Sequence, residues 1–344
     1  MLSSLKSTFK SAPLILLGAF FLCTSCKKIE PTSLEVSESK VEPKITTTTT
    51  KEKAPSKPQK AVADEPAPET PGIRFLSYNL KNYLTMSRYL KGGKKEDRSK
   101  PEEEINALIK IIVSEKPDIL GVCEIGTIDD LRNLQSRLKK AGLDLPHLEH
   151  AGGKDPTRRL GILSDLPIIA RNSQETLPYT LDGNEMFMSR GILDATIELP
   201  RGPTHFIGVH LKSKREVPDA DQALMRLNEA QLLKKHCNAI IAKNADARII
   251  VYGDMNETKG EAPIKSIRGQ RSTKSYFDDV WAKDSRAEFW THYWKYQDQY
   301  ARFDYVFFSP AMKPEMDFKG CYIVDPVDFY DASDHRAIMV KIVR

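Results

Sequence analysis

The stretch Ile249-Ile-Val-Tyr-Gly-Asp-Met-Asn256 joins a run of β-forming residues to a carboxylate and a carboxamide. Isoleucine, valine and tyrosine favour a strand, whereas the glycine and the two polar residues favour a turn. The pattern predicts a buried strand at Arg248–Gly253 that presents Asp254 and Asn256 at its carboxyl end. A strand that is rigid along its length and opens to solvent at its end is a suitable support for reactive side chains.

The same arrangement recurs beside other apolar runs of the chain. The further polar positions next to such runs are Asn79, Glu124, His210, Asp304, Asp334 and His335. Each of them alone has an ordinary explanation as a solvated charge, a turn or a cap. Together they supply carboxylate oxygens that suit Mg²⁺, Mn²⁺ or Ca²⁺, and imidazole and amide groups that can hold an anionic oxygen. The set therefore points to a divalent-cation site beside donors for an anionic oxygen.

From Ile73 onward, short β-forming runs alternate with longer helical patterns. Strands are predicted at Ile73–Asn79, Ile119–Glu124, Leu160–Ser164, Gly191–Glu198, His205–Leu211, Arg248–Gly253, Phe303–Ser309 and Ala337–Val343. Helices with an apolar stripe are predicted at Pro101–Glu115, Ile128–Ala141 and Asp221–Ala242. About 270 residues in which strand and helix patterns alternate in this way indicate one mixed α/β domain.

The composition is that of a globular protein and excludes a fully disordered or fibrous chain, since 40% of the 344 residues are hydrophobic and 29% are charged. The net charge of +5 is too small to indicate nucleic-acid binding by charge alone. The cysteines form no cluster with histidines or with a second cysteine pair that would suggest a zinc site. They are Cys23, Cys26, Cys123, Cys237 and Cys321.

Residues 1–26 have the features of a secretory signal, because two lysines precede an apolar stretch that ends in Cys23-Thr-Ser-Cys26. Small residues before a cysteine resemble a bacterial lipobox, in which Cys26 is lipidated. Cys23 stands where that motif usually has leucine, and a cleaved signal with a soluble secreted product is the alternative. Residues 27–72, rich in Pro, Thr, Lys and Glu, predict a disordered tether. The predicted location is the cell envelope, with a lipid anchor in a bacterial membrane.

Six motifs resemble, in order, those of the endonuclease/exonuclease/phosphatase superfamily, which includes pancreatic-type DNases, abasic-site endonucleases, inositol polyphosphate 5-phosphatases and neutral sphingomyelinases. They are Leu76-Ser-Tyr-Asn-Leu80, Gly121-Val-Cys-Glu124, Val209-His-Leu-Lys-Ser213, Gly253-Asp-Met-Asn-Glu257, Arg302-Phe-Asp-Tyr-Val306 and Ser333-Asp-His335. The resemblance covers residues 73–344 and implies a DNase I-like sandwich of four α/β/β/α layers for this domain.

The resemblance also implies a hydrolase of phosphate esters that depends on a divalent metal, Mg²⁺ or else Mn²⁺ or Ca²⁺. Under this hypothesis Glu124 binds the metal, and Asn79 and Asp334 complete its surroundings. Abasic-site enzymes carry an aspartate two residues beyond the asparagine of the first motif. This chain has Lys81 at that position and then Asn82, which we expect to serve instead and to contact a phosphate of the substrate.

The remaining motif residues are expected to carry the reaction. Asp254 positions or deprotonates the attacking water, and Asn256 holds that water or a phosphate oxygen. His335, oriented by Asp304, donates a hydrogen bond to the phosphoryl group in the transition state. His210 contacts another phosphate oxygen or assists the leaving group. These roles follow from what a phosphodiester requires, because its anionic oxygens repel a nucleophile until their charge is neutralised.

Basic residues after the His210 motif are candidates for contacts with flanking phosphates. Lys212 and Arg226 are predicted to make them, with a solvated loop lysine as the alternative for Lys212. Lys214, Arg215, Arg158 and Arg159 are weaker candidates.

A cluster of aromatic residues precedes the Asp304 strand. Its members are Trp290, Tyr293, Trp294 and Tyr296. Such side chains can stack on bases or contact lipid, but burial beneath the strand is the interpretation that the sequence favours.

The predicted function is a DNase-like nuclease that acts on nucleic acid outside the cytoplasm and contacts a membrane through its lipid anchor. The sequence points to no protein partner. One alternative is a hydrolase of a phospholipid, as in sphingomyelinases, or of an inositol or sugar phosphate. Another is a catalytically silent binding lipoprotein, against which the complete set of polar residues argues. A binding protein has no need for all of them.

Overall fold

The computed structural model describes residues 72–89, 93–218 and 220–343. The predicted signal, the lipidation site Cys26 and residues 27–71 of the tether predicted at residues 27–72 lie outside the described residues. Among the residues that are described, no helix is both long enough and apolar enough to cross a membrane.

The chain forms eighteen strands and five α-helices within the described ranges. The strands are β1 (Gly72–Tyr83), β2 (Met86–Tyr89), β3 (Lys95–Arg98), β4 (Ile119–Ile125), β5 (His147–Ala151), β6 (Arg159–Ser164), β7 (Ile168–Arg171), β8 (Pro178–Leu181), β9 (Asn184–Phe187), β10 (Leu193–Leu199), β11 (Gly202–His210), β12 (Ile249–Asp254), β13 (Asp278–Asp279), β14 (His292–Trp294), β15 (Gln299–Ala301), β16 (Asp304–Phe308), β17 (Tyr322–Ile323) and β18 (Ile338–Val343). The helices are α1 (Glu102–Glu115), α2 (Ile128–Lys140), α3 (Gln222–Lys243), α4 (Ala262–Arg268) and α5 (Phe329–Ala332).

Two six-stranded mixed sheets form the centre of the domain. One has the order β17-β18-β1-β4-β6-β5, and the other has the order β13-β16-β12-β11-β10-β7. Apolar side chains from both sheets form one buried cluster between them. A second cluster joins the first sheet to α1 and α2, and a third joins the second sheet to α3 and α4. The predicted four-layer α/β/β/α sandwich is confirmed, and all eight predicted strands and three predicted helices are present.

The helices begin where the local sequence favours a helix start. Thr127 caps α2 by accepting a hydrogen bond from the Asp130 amide, while the Asp130 side chain accepts from the Thr127 amide. Such a capping box satisfies backbone donors that a helix terminus otherwise leaves unpaired. Asp221 caps α3 by accepting from the first-turn amides. The buried leucines of α2 then lie on one face and pack on the first sheet.

The register of the second sheet aligns three polar residues across neighbouring strands. His210 of β11 pairs with Asp254 of β12, and Asp254 pairs with Asp304 of β16. In the first sheet, Asn79 of β1 pairs with Cys123 of β4, so Glu124 follows at the same end. Because the two sheets pack face to face, these strand ends meet at one edge of the sandwich.

Gly253 permits this close approach. Its φ is +129°, and an added Cβ would lie 2.0 Å from the Val209 carbonyl oxygen of β11. We expect Gly253→Ala to lower the free energy of unfolding by at least about 2 kcal/mol, because backbone strain and overpacking act together. Urea unfolding measures the change.

Gly202→Ala is the matched control for this substitution. Gly202 has a similar φ of +118°, but the nearest atom to its added Cβ is 3.7 Å away. The Gly202→Ala variant therefore has the backbone strain of a positive φ without a steric clash, and it should be destabilised less than Gly253→Ala. Equal losses in the two variants would show that contact with Val209 is unimportant.

Candidate active site

A cavity of about 820 Å³ opens at the edge where the two sets of strand ends meet. Glu124 and His335, which are far apart in the sequence, both line it. The other predicted site residues in its wall are Asn82, His210, Asp254, Asn256 and Asp334. Two more predicted residues, Asn79 and Asp304, lie directly behind this wall in contact with Asp254 and His335.

Asp254 and His335 form the centre of the cavity wall. His335 Nδ1 donates to Asp304 Oδ2 at 2.7 Å, and His335 Nε2 lies 3.8 Å from Asp254 Oδ2. The Asn256 amide donates to Asp254 Oδ1 at 2.8 Å, and the Asn79 side-chain nitrogen donates to Asp254 Oδ2 at 3.1 Å. Both Asp254 oxygens are thereby oriented, and the imidazole is oriented by Asp304.

Burial and charge shift the protonation of this pair in a direction that suits proton transfer. Burial, together with the Asp304 and Glu124 carboxylates, raises the pKa of Asp254 to about 7. Burial opposes the charge on His335, but Asp304 and Asp254 outweigh it and raise the pKa of His335 to about 10. At neutral pH the site therefore holds a protonated imidazole beside a carboxyl that can take up a proton.

The second histidine of the cavity, His210, has the opposite character. Burial, with the nearby positive charge of Arg190, lowers the pKa of His210 well below its usual range. Its Nε2 lies 3.5 Å from Asp254 Oδ2 and 3.9 Å from Glu124 Oε1, and its buried Nδ1 has no hydrogen-bond partner. His210 is therefore a neutral imidazole that faces both carboxylates.

We expect Asp304→Asn to lower the pKa of His335 towards its ordinary value and to reduce kcat by about 10²-fold or more. The raised pKa of His335 implies that this pairing stabilises the fold fully below about pH 6.5 and that the stabilisation is lost as pH rises towards 10. The free energy of unfolding should fall over that range in the wild type and should fall less in Asp304→Asn. NMR titration of His335 and urea unfolding at several pH values measure both effects.

Asp194→Asn is a matched control for the Asp304 variant. Asp194 is another buried carboxylate paired with histidines, at 2.9 Å from His205 Nδ1 and 2.9 Å from His236 Nε2, away from the cavity. It should destabilise the fold without lowering kcat. An unchanged His335 titration in Asp304→Asn would contradict the assigned pairing.

Glu124 and Asn82 occupy an irregularity in the first sheet. The pairing of β1 with β4 shifts register between Asn79 and Tyr83, and four cavity residues have left-handed backbone. Their φ angles are +48° at Lys81, +58° at Asn82, +60° at Glu124 and +48° at Asn256. Bulges of this kind redirect side chains, and each such angle costs a non-glycine residue roughly 1–3 kcal/mol. The Asn82 amide thereby reaches Glu124 Oε2 at 2.9 Å.

The sequence profile of the endonuclease/exonuclease/phosphatase family matches residues 81–327, about seven-tenths of the chain. The chain belongs to the endonuclease/exonuclease/phosphatase family. Members of this family are generally phosphoester hydrolases and commonly use divalent metals such as Mg²⁺. A search of curated proteins finds no match.

Solved structures similar to this family member agree with it in fold. The human Nocturnin catalytic domain is 17% identical with a TM-score of 0.56, over 79% of this chain and 94% of that chain. A β toxin structure from Staphylococcus aureus is 17% identical with a TM-score of 0.54, over 78% and 99% of the two chains. Sphingomyelinase C from Streptomyces griseocarneus is 14% identical with a TM-score of 0.52, over 79% and 100%.

The residues of this family member fit a hard divalent cation beside Glu124. The side-chain oxygen of Asn82 is buried at the cavity wall and accepts no hydrogen bond, next to the Glu124 carboxylate. Among the described residues, no group of three or more His, Cys, Asp or Glu side chains is arranged to hold a metal by itself. Mg²⁺ typically takes one or two protein carboxylates and completes its shell with water and substrate phosphate, which matches this sparse donor set.

Two predicted metal ligands are placed less directly. The Asn79 side-chain oxygen accepts from the Lys81 amide at 3.0 Å, and its nitrogen faces Asp254. These contacts favour a role in positioning Asp254 over the predicted metal role. Asp334 is half-buried at the cavity wall, and its metal role remains a prediction.

The two basic side chains that were predicted to contact phosphate, Arg226 and Lys212, do not line this cavity. Arg226 is buried and donates through Nη2 to Glu257 Oε2 at 2.8 Å and through Nη1 to the Lys212 carbonyl at 3.0 Å. Lys212 folds back and donates to the Arg215 carbonyl at 2.9 Å. Both cations stabilise the loop that follows His210 instead of facing the substrate space.

Other cations line the cavity in their place. They are Lys81, Arg158, Arg190, Lys214 and Arg215. Arg190 is buried, with Nε 3.3 Å from Asp155 Oδ2, and sequence reasoning missed it because it follows no recognised motif. His292 was also missed; its ring stacks on Phe303 and lies 4.6 Å from the His335 ring.

The favoured interpretation of the aromatic cluster is wrong for two of its members. Trp294 is 45% exposed and Tyr296 is 94% exposed, so neither is buried beneath the Asp304 strand. Both belong to the β14–β15 hairpin and its turn, which forms a separate two-stranded sheet. Trp290 and Tyr293 are half-buried.

Proposed function

We propose that this family member is a Mg²⁺-dependent phosphodiesterase that cleaves nucleic acid. The observation that carries the proposal is the single cavity that brings together an oriented Asp254–His335 pair, the Glu124–Asn82 oxygens and five cationic side chains. A general base, a charged hydrogen-bond donor and an oxygen site for a metal are the parts that phosphodiester hydrolysis requires.

In the proposed mechanism, Asp254 accepts the proton of the attacking water. Its raised pKa of about 7 gives it useful basicity near neutral pH, and the donors Asn79 and Asn256 fix its orientation. Asn256 is itself held by donation from its side-chain nitrogen to the Leu211 carbonyl at 3.0 Å. A pre-oriented base avoids reorganisation as the water attacks.

His335 and His210 act on the phosphoryl oxygens. His335 is protonated and held by Asp304, so its Nε2–H can donate to the charge that grows on phosphorus-bound oxygen. His210 remains neutral and can donate one hydrogen bond without adding charge. A divalent cation beside Glu124 and Asn82 would supply further charge neutralisation at the phosphoryl and leaving oxygens.

The cations of the cavity favour a polyanion as substrate. Lys81, Arg158, Arg190, Lys214 and Arg215 surround a space of about 820 Å³, which is more than one phosphodiester occupies. Three of these cations also contact a carboxylate. The pairs are Arg158 with Glu124, Arg190 with Asp155 and Lys214 with Glu257. Phosphates on either side of the scissile bond would find positive charge within this wall.

The test is a plasmid-nicking assay beside a sphingomyelin-hydrolysis assay, each run once with Mg²⁺ and once with EDTA. We expect Mg²⁺-dependent nicking and little release from sphingomyelin. Efficient sphingomyelin hydrolysis without nicking would replace the nucleic-acid substrate with a phospholipid. Inactivity in both assays, together with undiminished binding of DNA, would favour a silent binding protein.

We also propose that the protein is exported and anchored to a membrane through Cys26, on the basis of the signal-like residues 1–26. Cys26→Ser should move the protein from the membrane pellet to the soluble fraction and abolish labelling by radioactive fatty acid. Cys23→Ser is the matched control and should leave both unchanged. Retention of Cys26→Ser in the pellet would contradict the anchor.

A further inference from the structure

A second cavity, of about 770 Å³, lies on the other side of the β14–β15 hairpin from the candidate active site. We call it the aromatic cavity because five rings line it, those of Trp290, Tyr293, Tyr300, Phe329 and Tyr330. The proposed reaction uses none of these rings. Its volume lies in the range of cavities that hold small organic ligands.

The hairpin is a wall shared by the two cavities. In β14, His292 and Trp294 line the active-site cavity, whereas Tyr293 between them lines the aromatic cavity. In β15 the partner of Tyr293 is Tyr300, which also lines the aromatic cavity. Because side chains alternate across a strand, one face of this hairpin belongs to each cavity. The amide of Tyr293, which lines the aromatic cavity, donates at 2.9 Å to the carbonyl of Asp334, which lines the active-site cavity. The two cavities are therefore adjacent.

The rings are held in place before any ligand arrives. The Tyr293 and Tyr300 rings are stacked with centroids 4.5 Å apart, and the Trp290 ring meets Tyr300 edge-on at 4.8 Å. The Trp290 indole donates to Glu288 Oε2 at 2.7 Å, and the Tyr293 hydroxyl donates to Asp298 Oδ1 at 3.0 Å. Tyr300 is 56% exposed and therefore offers ring surface to a ligand.

The charged side chains that line the aromatic cavity balance, with Arg286 and Arg336 against Glu288 and Asp325, and two further cations beside the Tyr330 ring add positive charge. The Lys81 ammonium lies 5.1 Å from the Tyr330 ring centroid and also lines the active-site cavity, and the Lys295 ammonium lies 5.8 Å from the same ring. A quaternary ammonium would meet these two cations at the rim, whereas a flat neutral ring that carries a phosphate would be attracted to them. A nucleobase joined to its own phosphate has that combination.

We propose that the aromatic cavity binds an unpaired nucleobase beside the phosphodiester under attack, so that the protein prefers single-stranded nucleic acid. This inference rests on the proposed nuclease function. Bases within a duplex are already stacked and cannot enter a side cavity unless they leave the helix. Stacking on aromatic side chains tolerates any base, so the preference concerns strandedness more than sequence.

The experiment compares two single strands of equal length and phosphate number, one an oligothymidylate and the other built of abasic nucleotides. We expect the wild type with Mg²⁺ to show a kcat/KM about tenfold higher for the strand with bases, since stacking of one base contributes about that factor. Tyr300→Ala should reduce this ratio severalfold, and Tyr300→Phe, which keeps the ring, should preserve it. Tyr89→Ala removes an exposed ring that lines neither cavity and should also preserve the ratio.

Several results would overturn the inference. A wild-type ratio of the two kcat/KM values near one would show that the aromatic cavity does not bind a base. A ratio that Tyr300→Ala leaves unchanged would show the same. If Tyr300→Ala lowers the rate of sphingomyelin hydrolysis instead of this ratio, the aromatic cavity binds a lipid headgroup. If the wild type cleaves neither strand, the proposed nuclease function fails by itself. Fluorescence anisotropy of the two labelled strands then decides the inference: tighter binding of the base-bearing strand, lost in Tyr300→Ala, supports it, and equal binding overturns it.

Discussion

Replacing Asp254 with asparagine is expected to lower kcat by about 10²–10⁴-fold, the range typical for loss of a positioned general base. The substitution keeps the shape of the side chain but removes the basic oxygen that the Asn79 and Asn256 donors orient. It also removes one of the three carboxylates that raise the pKa of His335, the others being those of Asp304 and Asp334. Rapid-quench measurement of a single turnover separates the chemical step from product release.

The stability of the same variant is its internal control. Burial raises the pKa of Asp254 to about 7, so the folded, metal-free protein holds this proton longer than the unfolded chain does. Ionisation of Asp254 therefore lowers the free energy of unfolding as pH rises from about 4 to 7. Asp254→Asn lacks this ionisation, so its free energy of unfolding should fall less than that of the wild type between about pH 4 and pH 7. Near-normal turnover in a well-folded Asp254→Asn would exclude Asp254 as the base.

Removal of the metal is the second change with a large expected effect. Treatment with EDTA should reduce phosphodiester hydrolysis by about 10²-fold or more, and added Mg²⁺ should restore it, since the reaction then regains its charge neutralisation. Glu124→Gln should lose most of the activity and should respond little to Mg²⁺. The Glu124 carboxylate is expected to be the main protein charge for the cation, beside the unpartnered Asn82 oxygen.

Thermal unfolding gives a readout of the metal that does not depend on turnover. A ligand that binds only the folded protein stabilises it by about 2.7 kcal/mol at a concentration 100 times its Kd. Mg²⁺ should therefore raise the Tm of the wild type and should raise that of Glu124→Gln much less. Glu198→Gln changes an exposed carboxylate of β10 and should keep the full response. Identical Tm shifts in all three proteins would place the cation elsewhere.

The strands and long helices are accessible to sequence reasoning because each carries its own periodic pattern. The motif residues at strand ends are equally visible, since a polar residue after an apolar run is conspicuous. The central strands of the two six-stranded sheets, which end near Asn79, Glu124 and Asp254, could thus be predicted. The short hairpins β2–β3, β8–β9 and β14–β15 were not predicted, because segments of three or four residues carry too little pattern.

Side-chain direction is what the sequence could not provide. Arg226 and Lys212 have the charge for phosphate contact, but the buried Glu257 carboxylate and the carbonyls of the loop after His210 engage them first. Conversely, Arg190 precedes β10 without any motif and reaches the cavity only because the sheet carries it there. These outcomes depend on contacts between residues distant in sequence, which local patterns do not encode.

The left-handed backbone of Lys81, Asn82, Glu124 and Asn256 has a practical consequence for protein engineering. Glycine would relax every one of these positions, so a selection for heat resistance alone would reward glycine there. Such a selection would remove the carboxylate or carboxamide at three of the four positions while the melting curve improved. Screens for variants of higher thermal stability should therefore measure turnover together with Tm, or leave these four positions unchanged.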